Sequence, residues 1–138
     1  DEHTLVIGVS QSGETADTLT AIKQSKARGS HILIITNRPD SSMAREADSL
    51  VPVNAGIEVS VAATKSYIAQ LISFYLIAIY MAEIKNSMPK EDLINLKHEL
   101  VILPQNIGGR SPVFWQAGII GFCIYSYPWQ NLRRRAST

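Results

Sequence analysis

Two short apolar runs, Thr4–Val9 and His31–Thr36, limit what this chain can fold into more than any other feature. Neither alternates apolar with polar residues. Leu5, Val6, Ile7 and Val9 in the first run, and Ile32, Leu33, Ile34 and Ile35 in the second, predict strands covered on both faces, as in a parallel sheet. Between them the period lengthens. Ala16, Leu19, Ile22 and Ala27 keep close to helical spacing and Gly29 supplies a stop, which predicts a helix over Thr15–Arg28. Strand, helix and strand within about thirty residues make a βαβ unit, and strands joined this way need a right-handed crossover. Asn37-Arg38-Pro39-Asp40 then reads as a turn, Ser41–Glu46 as a short capped helix and Ser49–Val53 as a third strand. The class is α/β with a parallel sheet, and such sheets bind ligands at the carboxyl ends of their strands.

The first of those carboxyl ends has an unusual composition. Ser10-Gln11-Ser12-Gly13-Glu14-Thr15 puts three hydroxyls, an amide and a glycine where the strand passes into the helix. A helix start offers unbonded backbone N–H groups and the positive end of the helix dipole, which together suit a phosphate. The hydroxyls add donors for its oxygens. The same residues also fit a plain capping motif, with Ser12 or Thr15 as N-cap and Glu14 in the first turn. Placement at the ligand end of the sheet favours a bound anion. Bulk charge takes no side: the formal net charge is +1, which gives no case for nucleic acid or an acidic partner.

Asn54–Glu58 forms a second loop, and a long apolar helix is predicted after it, from Val59 to Lys85. Read as a membrane span this helix is short, with seventeen residues between Lys65 and Glu83, and Gln70, Ser73, Tyr75 and Tyr80 lie inside it. A helix apolar all round is otherwise buried on every side, in a core or at a subunit interface, and a buried interface is the expectation here. Pro89 fits N1 of a further helix, an amphipathic one over Glu91–Ile107 that Pro104 could interrupt. Its apolar face carries Leu93, Ile94, Leu96, Leu100, Val101, Leu103 and Ile107, and His98 falls on the solvated face. His3 and His31 have no partner at ligand spacing, so no metal site is predicted. With 138 residues the chain fits one domain, and its single cysteine, Cys123, excludes an internal disulfide framework and suits a reducing compartment. Asp1-Glu2-His3 is neither a signal peptide nor a natural start, which predicts a cytoplasmic domain cut from something longer. From Gly108 the pattern loses both periods and ends in Arg133-Arg134-Arg135, so residues 1–107 are expected to form the domain and 108–138 an atypical tail.

Two motifs carry a family resemblance. Ser10-Gln11-Ser12-Gly13-Glu14-Thr15-Ala16-Asp17-Thr18 resembles the sugar-phosphate loop of the sugar isomerase (SIS) domain. Asn54-Ala55-Gly56-Ile57-Glu58-Val59-Ser60-Val61-Ala62-Ala63-Thr64-Lys65 resembles its second signature. Together they look like the first SIS half of the isomerising glutamine–fructose-6-phosphate aminotransferase family, over residues 4–107. The resemblance implies a flavodoxin-like parallel sheet with helices on both faces, incomplete in this chain, and a homodimer in the full-length parent. It implies that Ser10, Gln11, Ser12, Gly13 and Thr15 hold the phosphate and nearby hydroxyls of fructose 6-phosphate or glucosamine 6-phosphate. Val61 and Ala62 would give backbone contacts to the sugar. Glu14, Glu58, Ala63 and Lys65 are further candidates; Ala63 stands where some members carry Ser, and Glu58 fits a sugar contact or a first-turn dipole partner. No metal, cofactor, nucleic acid or membrane is implied.

Parts of the family's machinery have no counterpart in these residues. Cys123 lies too far past the SIS motifs to serve as the family's glutaminase nucleophile, and the second SIS half and its lysine-bearing tail are not matched. Shifting a sugar between ketose and aldose needs a base positioned within reach of its carbons, and no residue here is assigned to that role. The chain alone is therefore expected to bind a sugar phosphate weakly without making glucosamine 6-phosphate. Tyr127-Pro128 resembles the start of a segment in the second half, but the following Trp129–Arg135 does not continue it, which suggests a truncated or frame-shifted reading. Two other classes stay open: another SIS aldose–ketose phosphate isomerase, and a non-catalytic domain that senses sugar phosphates. Gln11, Glu14-Thr15 and Ala62–Lys65 fit the aminotransferase better.

Overall fold

His31–Thr36 forms the central strand, β2, of a three-stranded parallel sheet, with β1 (Leu5–Ser10) on one side and β3 (Ser49–Pro52) on the other. A computed structural model describes residues 1–56 and 65–106, the last three by their backbone alone. The sheet belongs to the first of two compact units, Asp1–Ser73; the second is Phe74–Thr138. Register runs without a slip from Leu5 opposite His31 to Ser10 opposite Thr36, and from Leu33 opposite Ser49 to Thr36 opposite Pro52. Pro52 has no N–H to give, but opposite Thr36 it needs none: in a parallel ladder the rung there comes from the following residue, with Val53 N donating to Thr36 O at 2.8 Å.

Burial follows from that order. Ile32, Ile34, Ile35 and Thr36 in the central strand are fully enclosed and Leu33 nearly so, and Val51 beside Ile35 is buried as well. Both faces of β2 are covered, as its unalternated sequence requires. On one face Ile32 and Ile34 pack with Ile22 of α1 (Ala16–Ala27) and Met43 of α2 (Ser42–Glu46), edged by Val6, Leu19, Ala47 and Leu50. Gly8 completes this contact by having no side chain: a Cβ there would lie 2.9 Å from Ile22 Cδ1 and 2.5 Å from Ile34 Cδ1. The helix rests directly on the strand.

The first strand differs from its expected burial. Leu5 is 43% exposed, Val6, Ile7 and Val9 are half-buried, and only Gly8 and Ser10 are enclosed. Among the described residues β1 is an edge strand, so one of its flanks carries no neighbour. In α1 the predicted stripe narrows to Ile22 and Leu19, while Ala16 and Ala27 face outward. The predicted stop holds. Gly29 takes φ +86° and donates to Lys26 O at 2.9 Å, while Ser30 N donates to Ser25 O at 3.2 Å, the paired bonds of a Schellman ending.

After residue 64 the backbone forms α3 (Lys65–Lys85) and α4 (Lys90–Asn106). The expectation that the long helix is buried on every side is not met within this chain. In the first unit Ser66, Ala69, Ile72 and Ser73 are buried, but Tyr67, Ile68 and Leu71 are exposed. In the second, Leu76, Ile77 and Ile79 are buried, while Phe74, Tyr75 and Met81 are exposed. By length and composition α3 would also pass for a membrane span, with 28% of its most apolar window buried. Two-faced burial is what a helix lying on a core shows. Asn86 at φ 49° ends α3, and Ser87 N reaches back to Ala82 O at 3.1 Å. Pro89 stands one residue earlier than predicted: its carbonyl accepts the Leu93 N–H at 3.2 Å, which makes it the N-cap rather than N1. The helix is continuous through Pro104. Of the apolar face predicted for α4, Leu93 is buried while Ile94, Leu96 and Val101 are exposed. The residues from 107 onward, including the expected atypical tail, lie outside those described.

Candidate functional site

All three strands point their carboxyl ends to one edge of the sheet, and each ends in a polar loop there. The loop after β1 is drawn tight from within. Ser10 Oγ accepts the Gly13 N–H at 3.0 Å, and Ser12 Oγ accepts the Glu14 N–H at 3.2 Å. Ser10 Oγ also lies 3.3 Å from Thr15 Oγ1, so one of these two hydroxyls donates to the other. The remaining hydroxyl of that pair keeps its hydrogen for a ligand, as does Ser12, whose bond uses only a lone pair. Thr15 occupies the N-cap of α1 in extended geometry, yet its side chain makes no cap bond. The plain capping motif is therefore not what this loop forms. The first turn of α1 is left without a side-chain cap, and hydroxyl donors stand beside it, an arrangement suited to a phosphate.

A second layer holds the loop in place, and it comes from the loop after β2. Gly13 O accepts the Met43 N–H at 3.1 Å, and Thr36 Oγ1 donates to Gln11 O at 3.4 Å. Glu14 does not lie in the first turn of α1. Its Oε1 accepts the Ser42 N–H at 2.7 Å, at the start of α2, where Ser41 is the N-cap and accepts the Ala44 N–H. The Ser42 N–H, then its hydroxyl, and more weakly the Arg45 charge, hold the Glu14 carboxyl below its ordinary value of 4.5. A carboxylate, which repels a phosphate, is thereby tied to a different helix. Its sign follows: the clamp is intact above about pH 4.5 and is lost as the pH falls through the depressed value. Glu14→Gln keeps an acceptor but no charge, so above that pH it is expected to bind inorganic phosphate about threefold more weakly than the unsubstituted chain. The two affinities are expected to stay apart above pH 4.5 and to converge only as the pH falls through the depressed Glu14 value; a ratio of one at neutral pH would show that the charge is irrelevant.

The third loop is joined to the second by Asn37, whose Oδ1 accepts the Ala55 N–H at 2.7 Å and whose Nδ2 donates to Gly56 O at 2.8 Å. Of the residues singled out in the sequence, Ser10, Gln11, Ser12, Gly13, Glu14 and Thr15 thus share one turn, and Lys65 opens α3. Glu58, Val61, Ala62 and Ala63 lie outside the described residues. Sequence reasoning missed Thr36, Asn37, Ser41 and Ser42, whose only signal was polar residues at a strand end. It also gave His31 no partner. His31 Nε2 lies 3.1 Å from Ser49 Oγ, and Asp48 Oδ2 accepts the Ile32 N–H at 2.8 Å. This trio occupies the opposite, amino edge of the sheet, and at 3.8 Å from His31 Nδ1 the carboxylate is too far to orient the ring by a hydrogen bond. No group of three or more metal-ligating side chains occurs among the described residues.

A three-stranded parallel sheet with a hydroxyl-lined loop at its carboxyl edge defines an incomplete flavodoxin-like α/β domain with an anion-suited turn. The chain belongs to the SIS domain family, whose match covers residues 1–80. It is 45% identical over 104 residues to the isomerising glutamine–fructose-6-phosphate aminotransferase of Clostridium tetani, covering 75% of this chain and 17% of that protein. To the enzyme of the same name from Gloeobacter violaceus it is 47% identical over 107 residues, covering 78% of this chain and 18% of that protein. Among solved structures it is similar to the C-terminal domain of glucosamine-fructose-6-phosphate aminotransferase from Francisella tularensis. That likeness has a TM-score of 0.67 at 37% identity, over 70% of this chain and 27% of that one. The chain thus spans under a fifth of the length of the curated relatives it matches.

Proposed function

We propose that these residues bind the phosphorylated sugar of an isomerising glutamine–fructose-6-phosphate aminotransferase, fructose 6-phosphate or glucosamine 6-phosphate. The observation that carries the reading is the Ser10–Thr15 turn, in which hydroxyl donors surround a helix start that Thr15 leaves uncapped. Ser10, Gln11, Ser12, Gly13 and Thr15 take the phosphate, and Val61 and Ala62 of the second motif take the sugar. The similarity to the aminotransferases supports the choice of sugar. Ser41–Glu46, which binds the loop from outside, makes no ligand contact in this reading. In this reading the chain by itself transfers no amino group and isomerises no sugar: none of its residues is assigned as the base, and the carboxylate of the loop, Glu14, is bonded to Ser42. In the full-length parent the domain works as a homodimer in the cytoplasm. Exposed Tyr67, Ile68 and Leu71 on α3 support a neighbour there, and the single cysteine suits a reducing compartment.

Calorimetric titration of the 138-residue chain tests this directly. Fructose 6-phosphate is expected to bind with a Kd of about 1 mM or tighter, and unphosphorylated fructose is expected not to bind. Equal response to both sugars, or to neither, would overturn the reading. Glucosamine 6-phosphate formed from fructose 6-phosphate and glutamine would overturn the claim that the chain is inactive alone.

A further inference from the structure

Two adjacent residues at the end of β2 reach toward different loops. Thr36 Oγ1 donates to Gln11 O at 3.4 Å and accepts the Arg38 N–H at 3.2 Å, which serves the first loop. Asn37 serves the third, with its 2.7 Å and 2.8 Å bonds to Ala55 N and Gly56 O. The ladder explains why a side chain is needed there. Main-chain pairing of β2 with β3 ends when Val53 N donates to Thr36 O, and beyond that point the backbone of β2 enters the Arg38–Asp40 turn. The Asn37 carboxamide then supplies what a continued strand would have supplied, one acceptor and one donor, to the next residues of the neighbouring chain. Only one orientation of the amide satisfies both partners, since a flipped group would set N–H against N–H and oxygen against oxygen.

The segment it grips does not hold its own shape. Asn54 at φ 50° and Gly56 at φ 70° place two left-handed residues around the buried Ala55, a conformation that needs outside restraint. Asn37 provides that restraint. We infer that Asn37 is a positioning residue for the sugar end of the ligand site: its carboxamide fixes where the second motif leaves the sheet relative to the phosphate loop. The inference rests on the sugar-phosphate reading above. It divides the site into two ends. Inorganic phosphate needs only Ser10–Thr15, whereas on that reading the sugar also needs the second motif, whose opening residues 54–56 are the ones Asn37 holds.

The test is paired titration of inorganic phosphate and fructose 6-phosphate into the full chain and its Asn37→Ala variant. Asn37→Ala is expected to weaken fructose 6-phosphate about tenfold while leaving inorganic phosphate within about twofold, since losing a pair of hydrogen bonds, one of them part-buried, shifts binding by that order. Asn37→Asp keeps the acceptor for Ala55 N but loses the donor to Gly56 O, and is expected to fall between the two. It also serves as the second variant should the alanine chain not fold. A merely structural role would weaken both probes together, and that result overturns the inference, as does an unchanged affinity for fructose 6-phosphate. Failure of the unsubstituted chain to bind either probe would instead sink the sugar-phosphate reading, and the two failures are told apart by which protein shows them.

Discussion

Gly13→Ala is expected to reduce affinity for fructose 6-phosphate about a hundredfold, equivalent to about 3 kcal/mol, and to lower the stability of the first unit by a similar amount. Two costs combine. Gly13 has φ +68°, where a residue with a Cβ pays about 1–2 kcal/mol that glycine does not. The added carbon would also fall on the Ser41 hydroxyl and Cβ and come within 3.2 Å of Thr36 Oγ1. Ser41 cannot easily withdraw, because it is buried and caps α2 by accepting the Ala44 N–H. Relief must come from the loop. Moving it breaks the Gly13 N bond to Ser10 Oγ and the Met43 N bond to Gly13 O, which together set the turn proposed to hold the phosphate. Titration calorimetry gives the binding loss and urea unfolding the stability loss. An affinity within threefold of the unsubstituted chain would show that the turn's shape is not what binds the ligand.

That prediction uses both the part of the site that could be read in sequence and the part that could not. The turn itself was legible because its signal is local: hydroxyls and a glycine between a strand run and a helix run. Gly29 was legible for the same reason, as a helix stop needs only its own neighbours. What holds the turn was hidden. Glu14 meets Ser42 across 28 positions of sequence and Asn37 meets Ala55 across 18, and no spacing rule joins them. Glu14 next to a helix start has an obvious use in the dipole, and the structure uses it elsewhere because the start of α2 offers a bonded partner rather than a diffuse field. Burial was legible only where it depends on composition alone. The apolar run of β2 is enclosed because it is central. The similar run of β1 is half exposed because it stands at an edge among the described residues, a property of strand order rather than of residues 5–10. For α3 the sequence showed apolar side chains all round but could not say which of them meet neighbours within this chain.

Ile34→Ala is expected to cost about 3–5 kcal/mol of stability. Ile34 is fully enclosed at the centre of β2, against Ile22, Ile32 and Met43. Three carbons leave, worth about 2.4 kcal/mol in transfer alone at ~0.8 kcal/mol each, and a cavity term adds to this because the surroundings cannot close in. The residue beside it across the ladder is Gly8, with no side chain to swing into the space, and Ile32 is fixed on the same strand. Relief must come from Ile22 and Met43, the helix side chains of the same cluster. A domain of this size has about 5–15 kcal/mol in total, so the loss takes a large share of it, and any binding defect in the variant reflects its unfolded fraction. Its binding defect should have a different character from that of Gly13→Ala. Added sucrose, which favours the folded state, should restore fructose 6-phosphate binding to Ile34→Ala but not to Gly13→Ala, because in the first case the site is intact whenever the chain is folded. Urea unfolding supplies the magnitude: a loss below about 1 kcal/mol would mean that helix and strand re-pack across the gap, and that Gly8 is not there to keep α1 pressed onto the sheet.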